Sequence, residues 1–192
     1  EVYALGMYFN EQELANVDTQ LNVRLAGATA LATRMRLKRE QDWITKYFAP
    51  GVWTTQYVGV AATPTAGQVI RWDSFDTSTP VEDVTKAKTA LYLASGGAAS
   101  YTDIVAVMTQ DVYDVLINHP RIIARMNGGS TVTNTTLITK AKLAEVFGVA
   151  EILIPRAIGN KGKEGLADNH DFLVKNRFGL FARPKNPGIM TP

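Results

Sequence analysis

The sequence predicts an α+β protein, and three observations lead there. An apolar stripe runs through residues 11–48 without a proline, which reads as one very long helix. Further on, short buried-strand patterns at 104–108 and 149–154 enclose a run of helical segments. Hydrophobic residues make up 46% of the 192-residue chain and charged residues 20%, so a core can form and disorder is disfavoured.

The long helix announces its start clearly. Asn10 suits the N-cap, Glu13 stands three residues on as in a capping box, and Phe9 and Leu14 occupy the hydrophobic-staple positions. Leu14, Val17, Leu21, Leu25, Ala28, Ala32 and Met35 recur at steps of three and four, and Pro50-Gly51 ends the pattern. At about 1.5 Å per residue the element would exceed about 50 Å, far beyond the usual helix, so it is expected to act as a beam in a flat, extended subunit. Gly27 inside it costs about 1 kcal/mol against alanine, which either a close packing contact or a bend would explain.

After Pro50, residues 52–60 and 68–72 read as strands around the turn-rich 61–67. Thr79, Pro80 and Glu82 open a helix that reaches about Ser95 and stops at Gly96-Gly97. Thr109 caps a helix over 110–118, Pro120 starts another to about Met126, and 127–136 is polar and loop-like. Thr139 caps a helix over 140–147, closed by Gly148. Strand, helices and strand in this order suggest neighbouring strands in one sheet. Residues 172–174 and 178–182 read as a closing hairpin after the glycine- and lysine-bearing loop 159–171. The chain opens within a strand-like Val2-Tyr3-Ala4-Leu5 and is expected to be an internal part of a longer polypeptide.

Several chemistries are excluded at once. There is no Cys, hence no disulfide framework, no Cys-based zinc site and no thiol nucleophile. A net charge of +2 does not by itself imply a nucleic-acid partner. No apolar run approaches the roughly 20 residues of a membrane span, no signal peptide is visible, and no G-x-S-x-G occurs.

The remaining candidates are few. His119 precedes Pro120 at a helix end and reads as a histidine placed against the C-terminal dipole, with Asp111 and Asp114 a turn or two away. His170 lies in Asp168-Asn169-His170-Asp171, whose spacing matches no standard metal pattern. The loop 159–165 imitates a phosphate loop, but Glu164 follows Gly162-Lys163 where Ser or Thr is needed. Asn134-Thr135-Thr136 is a glycosylation sequon without a secretory context. Arg34, Arg36, Lys38 and Arg39 form the basic cluster. It reads as a solvated helix face, or as a contact with a neighbour's carboxylates or with packaged nucleic acid. Trp43, Tyr47, Phe48 and Trp53 read as core at the helix's end.

One resemblance emerges from the ordered short patterns between residues 71 and 184. Trp72, Thr79-Pro80-Val81-Glu82-Asp83-Val84, Asp103-Ile104-Val105-Ala106-Val107-Met108 and Asn118-His119-Pro120 follow one another. Leu143-Ala144-Glu145-Val146-Phe147-Gly148-Val149 then leads into Ile152-Leu153-Ile154. This series resembles the major capsid proteins of tailed double-stranded-DNA bacteriophages. That family has the Hong Kong 97-type capsid fold: an axial α/β domain, a peripheral domain on a long spine helix, an N-terminal arm and an E-loop. The resemblance implies a peripheral domain over 1–72 with the spine helix at about 11–48, a mainly axial domain over 73–182, and a return towards the periphery over 183–192. The arm and E-loop are largely absent from this chain, so crosslinking residues found there in relatives do not transfer.

The resemblance implies a structural coat protein and no enzyme, with no catalytic, cofactor or metal residues. Its copies would form pentamers and hexamers of an icosahedral shell, assembled in the host cytoplasm and ending in the virion. Packaged double-stranded DNA would be bound non-specifically, scaffolding, portal or decoration proteins are possible further partners, and no membrane is involved. Apolar positions off the stripe, namely Val23, Leu31, Leu37 and Ile44, are expected to meet other chains or the arm, together with Arg34, Arg36, Lys38 and Arg39. Two alternatives stand beside this reading. One is an encapsulin-like nanocompartment. The other is a small α/β enzyme using Lys161 or Lys163 with His119 or His170, which requires the glycine loop and one histidine to share a pocket.

Overall fold

The computed structural model describes residues 4–16, 22–128, 138–160, 162–163 and 165–184. Expectations placed on the start of the 2–5 strand, on Val17 and Leu21, on most of the 127–136 loop with its sequon, on Lys161 and Glu164, and on 185–192 fall outside these residues. The side chains of Glu13 and Leu14, named for the capping box and staple, fall outside as well. The chain divides into two compact units at Ala49/Pro50, upstream of the 72/73 boundary implied by the resemblance.

In the first unit the expected single helix is two. Helix α1 spans Glu11–Asn16, and the Asn10 carboxamide accepts from the Gln12 amide at 3.2 Å, as its cap role requires. Helix α2 spans Val23–Tyr47, 25 residues or about 37 Å. Its N-cap is Asn22, at φ −82° and ψ 82°, whose side chain accepts from the Leu25 amide at 3.0 Å. Asparagine here offers the backbone a local alternative to the helical bond and starts a new helix, a choice invisible in an uninterrupted apolar period. Gly27 is the buried residue of α2, and its neighbours settle the alternative left open above. A Cβ at this position would collide with the Phe9 ring and lie 3.1 Å from the Met7 Sδ, so close packing, not a bend, explains the glycine.

The apolar stripe is not a core face. Leu25 is 63% and Met35 50% exposed, and Ala28 and Ala32 are exposed too. The segment that covers α2 in its own unit crosses at Gly27, on another side of the helix from Leu25 and Met35. At the far end Trp43 lies 5.6 Å from buried Phe48 and 6.4 Å from Tyr47, ring centre to ring centre.

Among the described residues, the second unit carries three small sheets and a helical layer. Strands β1 (Val58–Val60) and β2 (Gln68–Ile70) pair in parallel. Helix α3 spans Pro80–Ala94 with Pro80 in its first turn. Thr79 holds the cap position without a side-chain cap bond, unlike the expected capping box. Gly96 and Gly97, both at positive φ, end it as predicted. Beyond a 3-10 turn at Tyr101–Asp103, strand β3 (Ile104–Met108) is buried at all five positions. Helices α4 (Gln110–Ile117), α5 (Pro120–Met126) and α6 (Lys140–Phe147) follow, and then strand β4 (Glu151–Leu153). Gly148 closes α6 in the left-handed conformation, φ 60° and ψ 48°.

β4 pairs in parallel with β3, the arrangement expected from the strand–helices–strand order. The predicted closing hairpin does not form. Strand β5 (Ile158–Asn160) pairs with β6 (His170–Phe172) instead, and β7 (Phe178–Ala182) runs antiparallel along the free edge of β3. That register sets Phe178 opposite Met108 and Ile104 opposite Ala182. A strand apolar at every position needs cover on both edges and both faces, and β7 supplies the second edge. Val84, Met108, Leu116, Ile122, Leu143 and Phe147 are central to the core beneath it.

Candidate functional site

Among the described residues of the second unit, three polar side chains are fully buried: Ser78, Thr109 and His119. Thr109 is a clamp. Its backbone N–H donates to the Arg177 carbonyl at 3.0 Å, and its Oγ1 accepts from the Arg177 amide at 3.2 Å, fixing the chain before β7. Asp111 works beside it, accepting from the Asn176 amide at 2.6 Å where Asn176 adopts positive φ.

His119 sits between α4 and α5, and Pro120 holds it in extended conformation, ψ 121°. Its Nδ1 accepts from the Arg121 amide at 3.2 Å, so the imidazole is the N-cap of α5. Its Nε2 lies 2.9 Å from Ser78 Oγ, and that hydroxyl donates to the Ser74 carbonyl at 2.7 Å. The network admits one tautomer. Nδ1 is an acceptor, so Nε2 carries the proton and donates to Ser78, whose own proton is committed to Ser74. The Phe75 ring stands edge-on to the imidazole, with centroids 5.5 Å apart and planes at 87°.

A serine against a histidine has the outline of a nucleophile and its base, but the protons run the wrong way. A general base would have to accept the hydroxyl proton, and here the ring donates to the hydroxyl. Neither acidic neighbour orients the ring: Asp111 holds Asn176, and Asp114 accepts from Gln110 Nε2 at 2.8 Å. The reading of His119 as a histidine placed against the C-terminal dipole of α4 also changes, because its ring caps α5. Desolvation, then the Arg121 charge, lowers its pKa against an opposing pull from Glu82, and the neutral ring serves the following helix. No local pattern in the sequence marks Ser78, because its partner lies 41 residues away.

The other chemical candidates lie apart from this cluster. His170 is exposed on β6, opposite Asn160 on β5. The Asn160 carboxamide ties the glycine loop to itself, accepting from Gly162 and Asn169 amides at 2.8 and 3.0 Å and donating to Asp168 at 2.6 Å. The loop and His170 thus share an exposed hairpin, while His119 is in the core. Among the described residues no group of His, Asp and Glu could hold a metal ion, and no helix is long and apolar enough to cross a membrane.

The expected interface positions all lie on α2 in the first unit. Val23, Leu31 and Ile44 are half-buried and Leu37 is 37% exposed. Val23 and Leu31 stand one turn either side of Gly27, on the face that Phe9 crosses. Arg34, Arg36, Lys38 and Arg39 are exposed, and Lys38 pairs with Asp42 at 3.0 Å along the helix. Trp53, expected at the helix's end, instead stands edge-on to Phe181 in the second unit at 6.0 Å.

No protein-family model matches this sequence, and no curated protein matches it. Solved structures do. The chain superposes on the crystal structure of a phage-related protein from Bordetella bronchiseptica RB50 with a TM-score of 0.63 and 21% sequence identity. The two share a fold. The match takes in 94% of this chain and 54% of the other, so this chain spans about half the length of that protein.

Proposed function

We propose that this chain belongs to a bacteriophage and builds its coat, as a major capsid protein whose copies close into an icosahedral shell around double-stranded DNA. The observation that carries the proposal is the fold shared with a phage-related protein across 94% of the chain. The order of elements supports the finer reading, since a long helix precedes an α/β unit as in the Hong Kong 97-type capsid fold. The exposure on α2 supports it as well: Leu25 and Met35 lie open, and apolar side chains left open on one element mark a surface built to be covered. Function on this reading is assembly, with many modest contacts per subunit summed over a closed shell. The buried polar network serves it as internal bracing.

Negative-stain electron microscopy of the full-length protein at assembling concentration is the test. Uniform closed shells support the coat role, and nuclease-protected DNA inside them supports the phage shell over a protein-filled nanocompartment. A particle that stays monomeric or dimeric overturns the proposal.

A further inference from the structure

We propose that His119 is an acid-operated latch: a proton taken up on Nδ1 releases segment 73–79 from the start of α5. The geometry carries this, because both ring nitrogens are committed. Nδ1 accepts the Arg121 N–H, and Nε2–H is directed at Ser78 Oγ, whose own proton is turned to the Ser74 carbonyl. A proton arriving on Nδ1 sets a donor against the Arg121 N–H, in a site that water does not reach. The cap of α5 is lost, and the ring must move to solvate its charge. Ser78 and the edge-on Phe75 are its attachments to the segment.

The charged surroundings leave the outcome to the ring itself. On α5, Arg121 opposes protonation, and its Nη2 donates to the Asp76 carbonyl at 3.3 Å, a second tie between the same two elements. On α3, Glu82 favours protonation. Segment 73–79 carries Asp73, paired with Arg71 at 3.6 Å, and Asp76. On α4, Asp111 and Asp114 are committed to Asn176 and Gln110. The sign follows from linkage. A histidine whose folded pKa is depressed keeps its full stabilising effect above the unfolded value of about 6.5 and loses it as pH falls towards the folded value.

Hydrogen–deuterium exchange mass spectrometry on the full-length protein, between about pH 5.5 and 7.5 and corrected for intrinsic exchange, reads the latch directly. Peptides covering 73–79 and 119–124 should lose protection together, by up to about tenfold per pH unit below about 6.5, while β3 stays protected. The His170→Gln variant, in an exposed position, should keep this dependence and leaves His119 as the remaining histidine of these 192 residues. The His119→Asn variant, which retains a cap acceptor but does not titrate, should abolish it. Protection that holds throughout the range, or fails in one peptide alone, overturns the latch. A pH dependence that disappears in His170→Gln overturns it too, and none of these readings needs His119→Asn to fold.

Discussion

The ring of Phe9 fills the volume that a side chain at Gly27 would occupy, with the Met7 Sδ 3.1 Å from the same point. In an open helix, Gly27→Ala would stabilise by about 1 kcal/mol. Here that gain is set against displacement of Phe9, and overpacking of this kind costs about 1–3 kcal/mol. In a Phe9→Ala background the gain should reappear. A urea-denaturation cycle of the two single variants and the double should give a coupling of about 1 kcal/mol or more. A cycle closing to zero would remove Phe9 from that face.

Lys88 ties α3 to the end of α6, its ammonium donating to the Phe147 and Gly148 carbonyls. These are acceptors that the helix leaves unpaired. Lys88→Met should cost about 1–2 kcal/mol, seen as a lower denaturation midpoint at unchanged slope. Gly148→Ala should cost a similar ~1–2 kcal/mol, because L residues resist the left-handed conformation. Its Cβ would also come within 3.0 Å of the Lys88 Nζ, so the two losses should not add.

Trp72 donates its indole N–H to the Asp83 carboxylate at 3.0 Å and stands edge-on to Phe178 at 5.0 Å. Asp83→Asn keeps an acceptor and gives up only the charge in the first turn of α3, so it should lose about 0.5 kcal/mol. Asp83→Ala leaves the indole N–H without its partner and should lose about 1–2 kcal/mol. Equal losses from both would locate the effect in the helix dipole, not in the tryptophan. Thermal unfolding followed by tryptophan fluorescence distinguishes them.

Assembly should respond to the open side of α2. Leu25→Asp and Met35→Glu alter exposed positions and should move the unfolding midpoint by no more than about 0.5 kcal/mol. Both should nevertheless prevent shell formation in the electron microscope. Normal shells from both variants would show that this side faces no neighbour.

What the sequence disclosed was local chemistry. Asn10 before α1, Pro80 in the first turn of α3, the apolar run of β3 and the glycine after α6 each announce their structure within a few residues. What it hid was pairing at a distance. β7 looked like half of a hairpin because its true partner, β3, lies some seventy residues earlier. The cap at Asn22 is masked in the sequence because Leu21 and Leu25 continue the apolar period across it. The buried network is illegible for the same reason: Ser78 and His119 each look ordinary until the fold brings them to 2.9 Å.

The central position of β3 also bears on how the protein is made. The strand gains its parallel neighbour with residues 151–153, yet its other edge stays uncovered until 178–182 have been synthesised. A chain stalled or truncated on the ribosome before that point presents an apolar strand edge, a template for aggregation. Completion of this sheet therefore waits for residues 178–182. Such unfinished chains would be expected to be bound by chaperones or degraded by proteases before they accumulate.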